Sequence, residues 1–227
     1  MASGPREVAS AYDRLARRYQ DWPWQDFWRQ NERPLLEEVM SSEPFGRTAL
    51  DVGIGTGAYV DLNESHTGRL LGVDISSGML RELRRLHPGA SGVVANATAL
   101  PFRDGTIDRI SANRVLSHVP DLTRFFGEAR RLLSPGGGLV ISDLDHEHDY
   151  DEITFSGLTE VNPIRPCHHS LTDLLSMSSQ QGFGVDRYWR LRFRDLKWQP
   201  PPDQFVSLDR TNRRHIFYVV VLHRSGH

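Results

Sequence analysis

The chain has 227 residues, 38% hydrophobic and 25% charged, with a formal net charge of −2 at pH 7. That is enough for one full hydrophobic core, and the charge balance argues against a broadly basic nucleic-acid binder. A single cysteine, Cys167, excludes an internal disulfide and a cysteine zinc cluster; the polar start "MASGPREVAS" and the lack of an apolar run near the ~20 residues of a bilayer crossing predict a cytoplasmic protein.

From Val8 onward, Val8, Tyr12, Leu15, Ala16 and Tyr19 fall on one helical face. The aromatic segment "WPWQDFW" follows, then a second helix around Leu35 to Met40 that starts near Pro34. From there the chain alternates. "TALDV" reads as a buried strand, followed by a glycine turn and a short helix; "RLLGVD" is a second strand. "SSGMLRELRRLH" is a helix capped by Ser76 or Ser77, and "SGVVAN" a third strand. "TIDRISAN" is the fourth strand, "DLTRFFGEARRLL" a helix opened by Asp121, and "GGLVISD" the fifth strand. After an irregular stretch, "SLTDLLSMSSQQ" forms a helix with Ser170 and Asp173 at its start. Strands at "GVDRYWRLRF" and "HIFYVVVLHR" close the chain, with no helical pattern between them.

Strands alternating with helices imply a parallel sheet with right-handed crossovers, and the adjacent final strands require one to run antiparallel. The predicted fold is α/β: a Rossmann-like, seven-stranded, mostly parallel sheet with helices on both faces and one antiparallel C-terminal strand. Residues 1–227 form a single domain in this reading. Residues 1–42 make an N-terminal helical lid, and 144–169 an acceptor-side loop.

The stretch "LDVGIGTGAYV" sits at a strand's carboxyl end, where open α/β sheets bind ligands. Glycine at alternate positions weakens a strand, so Gly53, Gly55 and Gly57 mark either a tight turn or a main chain bared to a ligand. A dinucleotide fingerprint would be G-x-G-x-x-G; here the spacing is G-x-G-x-G, with Asp51 just before it. An acid so close suits a cationic group better than a pyrophosphate. Asp74, at the end of the second strand, is placed to accept from both hydroxyls of a ribose. Asn96 and Ala97 end the third strand, where a side-chain carbonyl and a backbone N–H can read an adenine edge.

The blocks "DVGIGTG", "GVDISSGML", "ANATALPF", "SANRVLSHVPD" and "LLSPGGGLVISD", with the tyrosines of "AYDRLARRY", resemble the class I S-adenosylmethionine-dependent methyltransferases. The likeness is to their small-molecule subgroup and covers roughly residues 10 to 145. It implies S-adenosylmethionine as cofactor, with the glycine turn, including Thr56, facing its methionine part. Asp51 then helps hold the amino group and Asp74 the ribose diol, while Ile75 and Met79 flank the adenine. Asn96 stands where the family more often has Asp. The main-chain carbonyl of Asn113 would receive the ammonium, and Tyr12 and Tyr19 would close over the methionine tail.

Histidines gather where an acceptor pocket belongs: His118 after the fourth strand, His146 and His148 after the fifth, His168 and His169 before the next helix. His118, His146 and His169 are the candidate bases, which would give an activity limb near pH ~6.5. A metal site from "DHEHDYD" and "CHH" is the weaker alternative. Phe155, Leu158 and Ile164, with Trp22, Trp24, Phe27 and Trp28, would wall an apolar acceptor site. The expected activity is O- or N-methylation of a small organic acceptor in secondary metabolism. A non-catalytic S-adenosylmethionine-binding protein and an RNA or protein methyltransferase stay open as alternatives. Nucleic acid and membrane are not expected partners; a homodimer is left open.

Overall fold

The computed structural model describes residues 2–42, 46–145, 147, 152–153, 155, 161–197 and 214–225. Its strands, in chain order, are β1 (Thr48–Val52), β2 (Arg69–Asp74), β3 (Gly92–Val94), β4 (Ile107–Asn113), β5 (Leu133–Leu144), β6 (Phe183–Arg192) and β7 (His215–Arg224). They form one seven-stranded sheet in the order β3-β2-β1-β4-β5-β7-β6. The pairs among β1 to β5 are parallel, and β7 runs antiparallel to both β5 and β6. The expected sheet is therefore the one observed.

Its core follows from the two-residue period of a strand. In β7, Phe217, Val219 and Val221 meet Phe27, Trp28, Leu36 and Val39 on one face. Tyr218, Val220 and Leu222 meet Phe125, Phe126 and Leu174 on the other. Covered on both sides, β7 has to read as a continuous apolar run.

Three helices start where a side chain satisfies one of their first N–H groups. Ser76 Oγ accepts from Met79 N to open α5 (Ser77–Leu86), which makes Ser76, not Ser77, the cap. Asp121 accepts from Arg124 N to open α6 (Leu122–Leu132), and Ser170 from Asp173 N to open α7 (Leu171–Gln180). At the amino end the reading of the sequence changes. The first helix, α1, stops at Leu15 (Pro5–Leu15), and Ala16–Asp21 continues as a 3₁₀ turn. The aromatic segment is largely helical, as α2 (Trp24–Asn31), and α3 (Arg33–Ser42) begins earlier than Leu35. Packing of Phe27 and Trp28 onto β7 overrides the weak helix propensity of this aromatic run. The short helix after the glycine turn is α4 (Val60–His66). Strand β5 also starts earlier than expected, because a bulge between the pairs Ile107–Leu133 and Arg109–Gly138 absorbs the glycine run.

A separate apolar cluster joins α1 to the far side of the molecule. Val8, Ala11 and Leu15 pack with Met79 of α5 and with Ile153, Phe155, Val161 and Ile164. Ile153 and Ile164 bridge one another, and Ser3 N donates to Arg165 O at 2.9 Å. The two segments expected to be lid and acceptor-side loop thus pack together. Leu158, His146, His148 and most of "LKWQPPPDQF" lie outside the described residues.

Candidate functional site

The three glycines all have positive φ: +73° at Gly53, +56° at Gly55 and +94° at Gly57. Their reasons differ. A Cβ on Gly53 would lie 2.2 Å from Val115 Cγ2, so this glycine permits close packing of the turn on the end of β4. On Gly55 a Cβ would meet only the carbonyl oxygen of Gly53, at 3.8 Å, and that bared face looks into a cavity. Gly57 faces away, toward His87 and Leu83.

The cavity encloses about 360 Å³ at the carboxyl ends of β1, β2 and β4. It brings together Tyr12, Tyr19, Gly53, Gly55, Thr56, Asp74, Ile75, Met79, Asn96, Ala97, Asn113 and His118. Asp51, Gly57 and His169 are not in its wall. His146 lies outside the described residues.

Asp74 is held in place by main-chain donors: Gly55 N to Oδ2 at 2.9 Å and Ser76 N to Oδ1 at 2.8 Å. Burial nevertheless pushes its carboxyl up to about 6. Asp51 is 3% exposed, and burial pushes it up to about 7 against the pull of Ser111, Arg109 and Arg114. It stands behind the turn. The Asn96 amide oxygen accepts from both Thr98 N and Thr98 Oγ1, at 3.0 Å each. Both lone pairs of that oxygen are therefore engaged within the loop.

The amino-terminal segment is tied to this cavity at three places. Tyr12 Oη and His118 Nε2 are 2.9 Å apart, Gln20 Nε2 donates to Thr56 Oγ1 at 2.6 Å, and Asp13 Oδ1 accepts from Ser76 Oγ at 2.7 Å and Gly78 N at 2.6 Å. Burial pushes the His118 imidazole down to about 4, so the ring is neutral at neutral pH. The limb expected near pH ~6.5 cannot come from this histidine in this state. His169 hydrogen-bonds through Nε2 to Val119 O at 2.8 Å, which pins its loop to the turn after β4.

The acidic run after β5 has a structural use. Arg190 donates to Asp145 Oδ2 at 2.6 Å and to Glu147 Oε1 at 2.8 Å, while Glu147 Oε2 accepts from His215 N at 2.9 Å. Among the described residues no group of three or more histidine, cysteine, aspartate or glutamate side chains is arranged for a metal ion.

Behind the cavity lies a network that the sequence did not announce. Glu32, 0% exposed, accepts from Ser142 Oγ at 2.6 Å and from Tyr59 Oη. Ser142 Oγ also lies 2.8 Å from Asn113 Oδ1. Arg114 Nε stands 3.6 Å from Glu32 Oε2. Glu32 follows an aromatic run in sequence and Arg114 follows a strand, and neither spacing carries a signal.

Residues 50–141 match a family model described as a methyltransferase domain. The chain is 35% identical over 205 residues to an uncharacterized 37.1 kDa protein in transposon TN4556 of Streptomyces fradiae, covering 81% of this chain and 56% of that protein. It is 30% identical over 152 residues to the demethylmenaquinone methyltransferase of Renibacterium salmoninarum, covering 63% of this chain and 60% of that one. The chain thus spans less than two thirds of either relative. A solved S-adenosylmethionine-dependent methyltransferase of Mesorhizobium loti shares the fold, with a TM-score of 0.65 and 21% identity over 85% of this chain and 97% of that one. The family match begins in β1 and ends in β5, which bracket the glycine turn and the cavity, so this part of the chain is a methyltransferase domain.

Proposed function

We propose that this chain transfers the methyl group of S-adenosylmethionine to oxygen or nitrogen of a small organic acceptor, in secondary metabolism. One observation carries the reading: the bared face of Gly55 and the Asp74 carboxylate, joined by a 2.9 Å hydrogen bond, open into one cavity of about 360 Å³. A nucleoside with an amino-acid tail fits such a cradle.

When bound, S-adenosylmethionine supplies a methyl group on a positively charged sulfur. The chain's own residues hold and shield it. Asp74 accepts from the ribose hydroxyls, while Ile75 and Met79 pack on the adenine. With the Asn96 oxygen engaged by Thr98, recognition of the adenine edge passes to the main chain at Ala97. Asn113 offers its main-chain carbonyl to the ammonium, and Tyr12 and Tyr19 exclude water from the tail. Asp51 supports the turn from behind, outside the cavity wall. His118 hydrogen-bonds with Tyr12 and sets that ring; as a base held near 4 it draws weakly on a phenol's proton. Alignment and exclusion of water then carry the transfer.

Calorimetry with S-adenosylhomocysteine should give micromolar affinity, with no binding of NAD. Asp74→Ala should weaken it at least about tenfold, since hydrogen bonds to a charged group contribute roughly 1.5–3 kcal/mol each. Labelled methyl groups should then enter small molecules of a cell extract. Label recovered only in RNA or protein would overturn the acceptor class, and binding without transfer to any fraction would overturn catalysis.

A further inference from the structure

Arg114, directly after β4, is the one non-glycine residue with positive φ among the described residues, at +60°. It lines the cavity, yet its guanidinium turns back behind the wall. There it lies 5.2 Å from the centre of the Trp28 ring and 5.5 Å from that of Tyr59, and neither ring lines the cavity. An arginine keeps its proton even when buried. Burial works against that charge here, and Glu32 foremost works for it, with a net upward shift. A fixed positive charge therefore stands just behind the cavity.

Such a charge is ill-suited to the proposed cofactor. S-adenosylmethionine carries a positive sulfur as well as its ammonium, whereas the product, S-adenosylhomocysteine, has a neutral thioether. A protein interior screens weakly: at an effective dielectric of about 20, a unit charge roughly 10 Å away still shifts an equilibrium about tenfold. Glu32 supplies the opposite charge. Its side chain is 0% exposed, and its Oε2 stands 3.6 Å from Arg114 Nε. Its oxygens accept from Ser142 Oγ at 2.6 Å and from Tyr59 Oη, which hold it facing the guanidinium. Arg114 Nε makes no hydrogen bond, so the two charges meet through space. A buried pair of this kind adds little to folding, because desolvation offsets its attraction. Its plain electrostatic effect is to cancel charge. At the mouth, Arg124 and Asp121 pair at 3.4 Å with side chains 76% and 50% exposed, where solvent screens them.

We propose that Glu32 is the countercharge to Arg114 that lets this cavity hold a sulfonium, and so sets its preference between S-adenosylmethionine and S-adenosylhomocysteine. The inference rests on the S-adenosylmethionine reading and adds a specificity residue to it. Glu32 does not line the cavity and acts through Arg114. The two charges are not equivalent. Arginine cannot shed its proton, whereas a buried carboxylate left alone takes one up. Loss of Glu32 therefore leaves a permanent positive charge, and loss of Arg114 leaves a group that can neutralise itself.

The test is the ratio of the two affinities by calorimetry. The ligands share adenosine, ammonium and carboxylate and differ in the methyl group and its charge, so a general loosening of the site moves both alike. Glu32→Gln keeps the side-chain shape and should weaken S-adenosylmethionine about tenfold relative to S-adenosylhomocysteine. Removing both charges, in Glu32→Gln with Arg114→Met, should return the ratio to within a few-fold of the unaltered protein. Arg114→Lys keeps the pair and should keep the ratio, and Arg114→Met alone should not lower it. Equal loss of both ligands in Glu32→Gln would overturn the proposal and make Glu32 a support for the turn after β4. A double variant that retained the shifted ratio would also overturn it. So would a lowered ratio in Arg114→Met or an altered one in Arg114→Lys, results that do not require Glu32→Gln to fold. Failure of the unaltered protein to bind either ligand would instead refute the cofactor reading.

Discussion

Asp13 of α1 and Gly78 of α5 touch so closely that one added carbon would part them. Gly78 N donates to Asp13 Oδ1 at 2.6 Å, and a Cβ on Gly78 would lie 2.8 Å from Asp13 Cα. The second glycine of "GVDISSGML" therefore has a tertiary reason: it lets α1 lie across the start of the helix that follows Asp74. The same carboxylate accepts from Ser76 Oγ, so α1 supplies an extra cap to α5.

Asp13→Ala should remove that cap from the side of α1, while Ser76 still opens α5. The expected cost is about 0.5–2 kcal/mol, concentrated in the docking of α1. Hydrogen exchange along α1 should speed up and cofactor affinity should fall, with the exchange of β1 and β4 amides unchanged. Gly78→Ala should act in the same direction through steric contact. Unchanged exchange in α1 for both variants would show that this contact does not hold the segment down.

Cofactor binding should depend on pH through Asp74. Burial holds its carboxyl near 6, above the ordinary value, and ribose hydroxyls require the ionised form. Affinity should be full above pH 7 and fall as pH drops through about 6. The contribution to folding runs the other way: between the ordinary 3.8 and about 6 the folded chain holds a proton the unfolded chain lacks. Asp74 therefore favours folding most below that window, and this contribution is lost as pH rises through about 6. Calorimetry across pH 5 to 8 should show the step, and Asp74→Asn should flatten it; a step that persists in the variant would assign it to another group.

His118 should titrate near pH 4 by histidine NMR, because burial disfavours its charged form. The rate profile between pH 5 and 8 should then carry no limb from this ring. Tyr12→Phe and His118→Gln should each lower turnover about tenfold or less, by loosening the contact at 2.9 Å. A working base would cost roughly 10²–10⁴-fold on removal. A loss of that size in His118→Gln alone would restore His118 as the base.

Arg190 should be a stability residue. Its partner Asp145 has a fully buried side chain, and Glu147 is held down to about 2 by the His215 hydrogen bonds and by Arg190, against the opposing effect of burial. Arg190→Gln should cost on the order of 2 kcal/mol, the scale of hydrogen bonds to a charged group. The Glu147 contribution is present above its ordinary carboxylate range and lost as pH falls toward about 2. Chelator treatment should leave both thermal stability and cofactor affinity unchanged; a drop in either would reopen a metal site.

Much of this protein is determined along the chain. The alternation of strands and helices, the caps Asp121 and Ser170, and the apolar run of β7 each depend on a local period or a neighbour within a few residues. That is why they read correctly from the letters alone. The placement of Gly55 and Asp74 on the cavity was legible for a related reason: one lies in the turn after β1 and the other ends β2, and in an open parallel sheet strand ends converge on one edge. The helix at Trp24–Asn31 was not legible, because its support comes from β7, nearly 190 residues on. The same is true of the sites' second layer. Asp13 meets Gly78, Glu32 meets Ser142, and Arg114 points its guanidinium between Trp28 and Tyr59. Even His118 changed character, since burial and Tyr12 decide its charge while its place in "SHVPD" does not. Local periodicity selects the elements and their order; the charge state and contacts of a buried polar group depend on long-range neighbours, and only the folded chain brings those together.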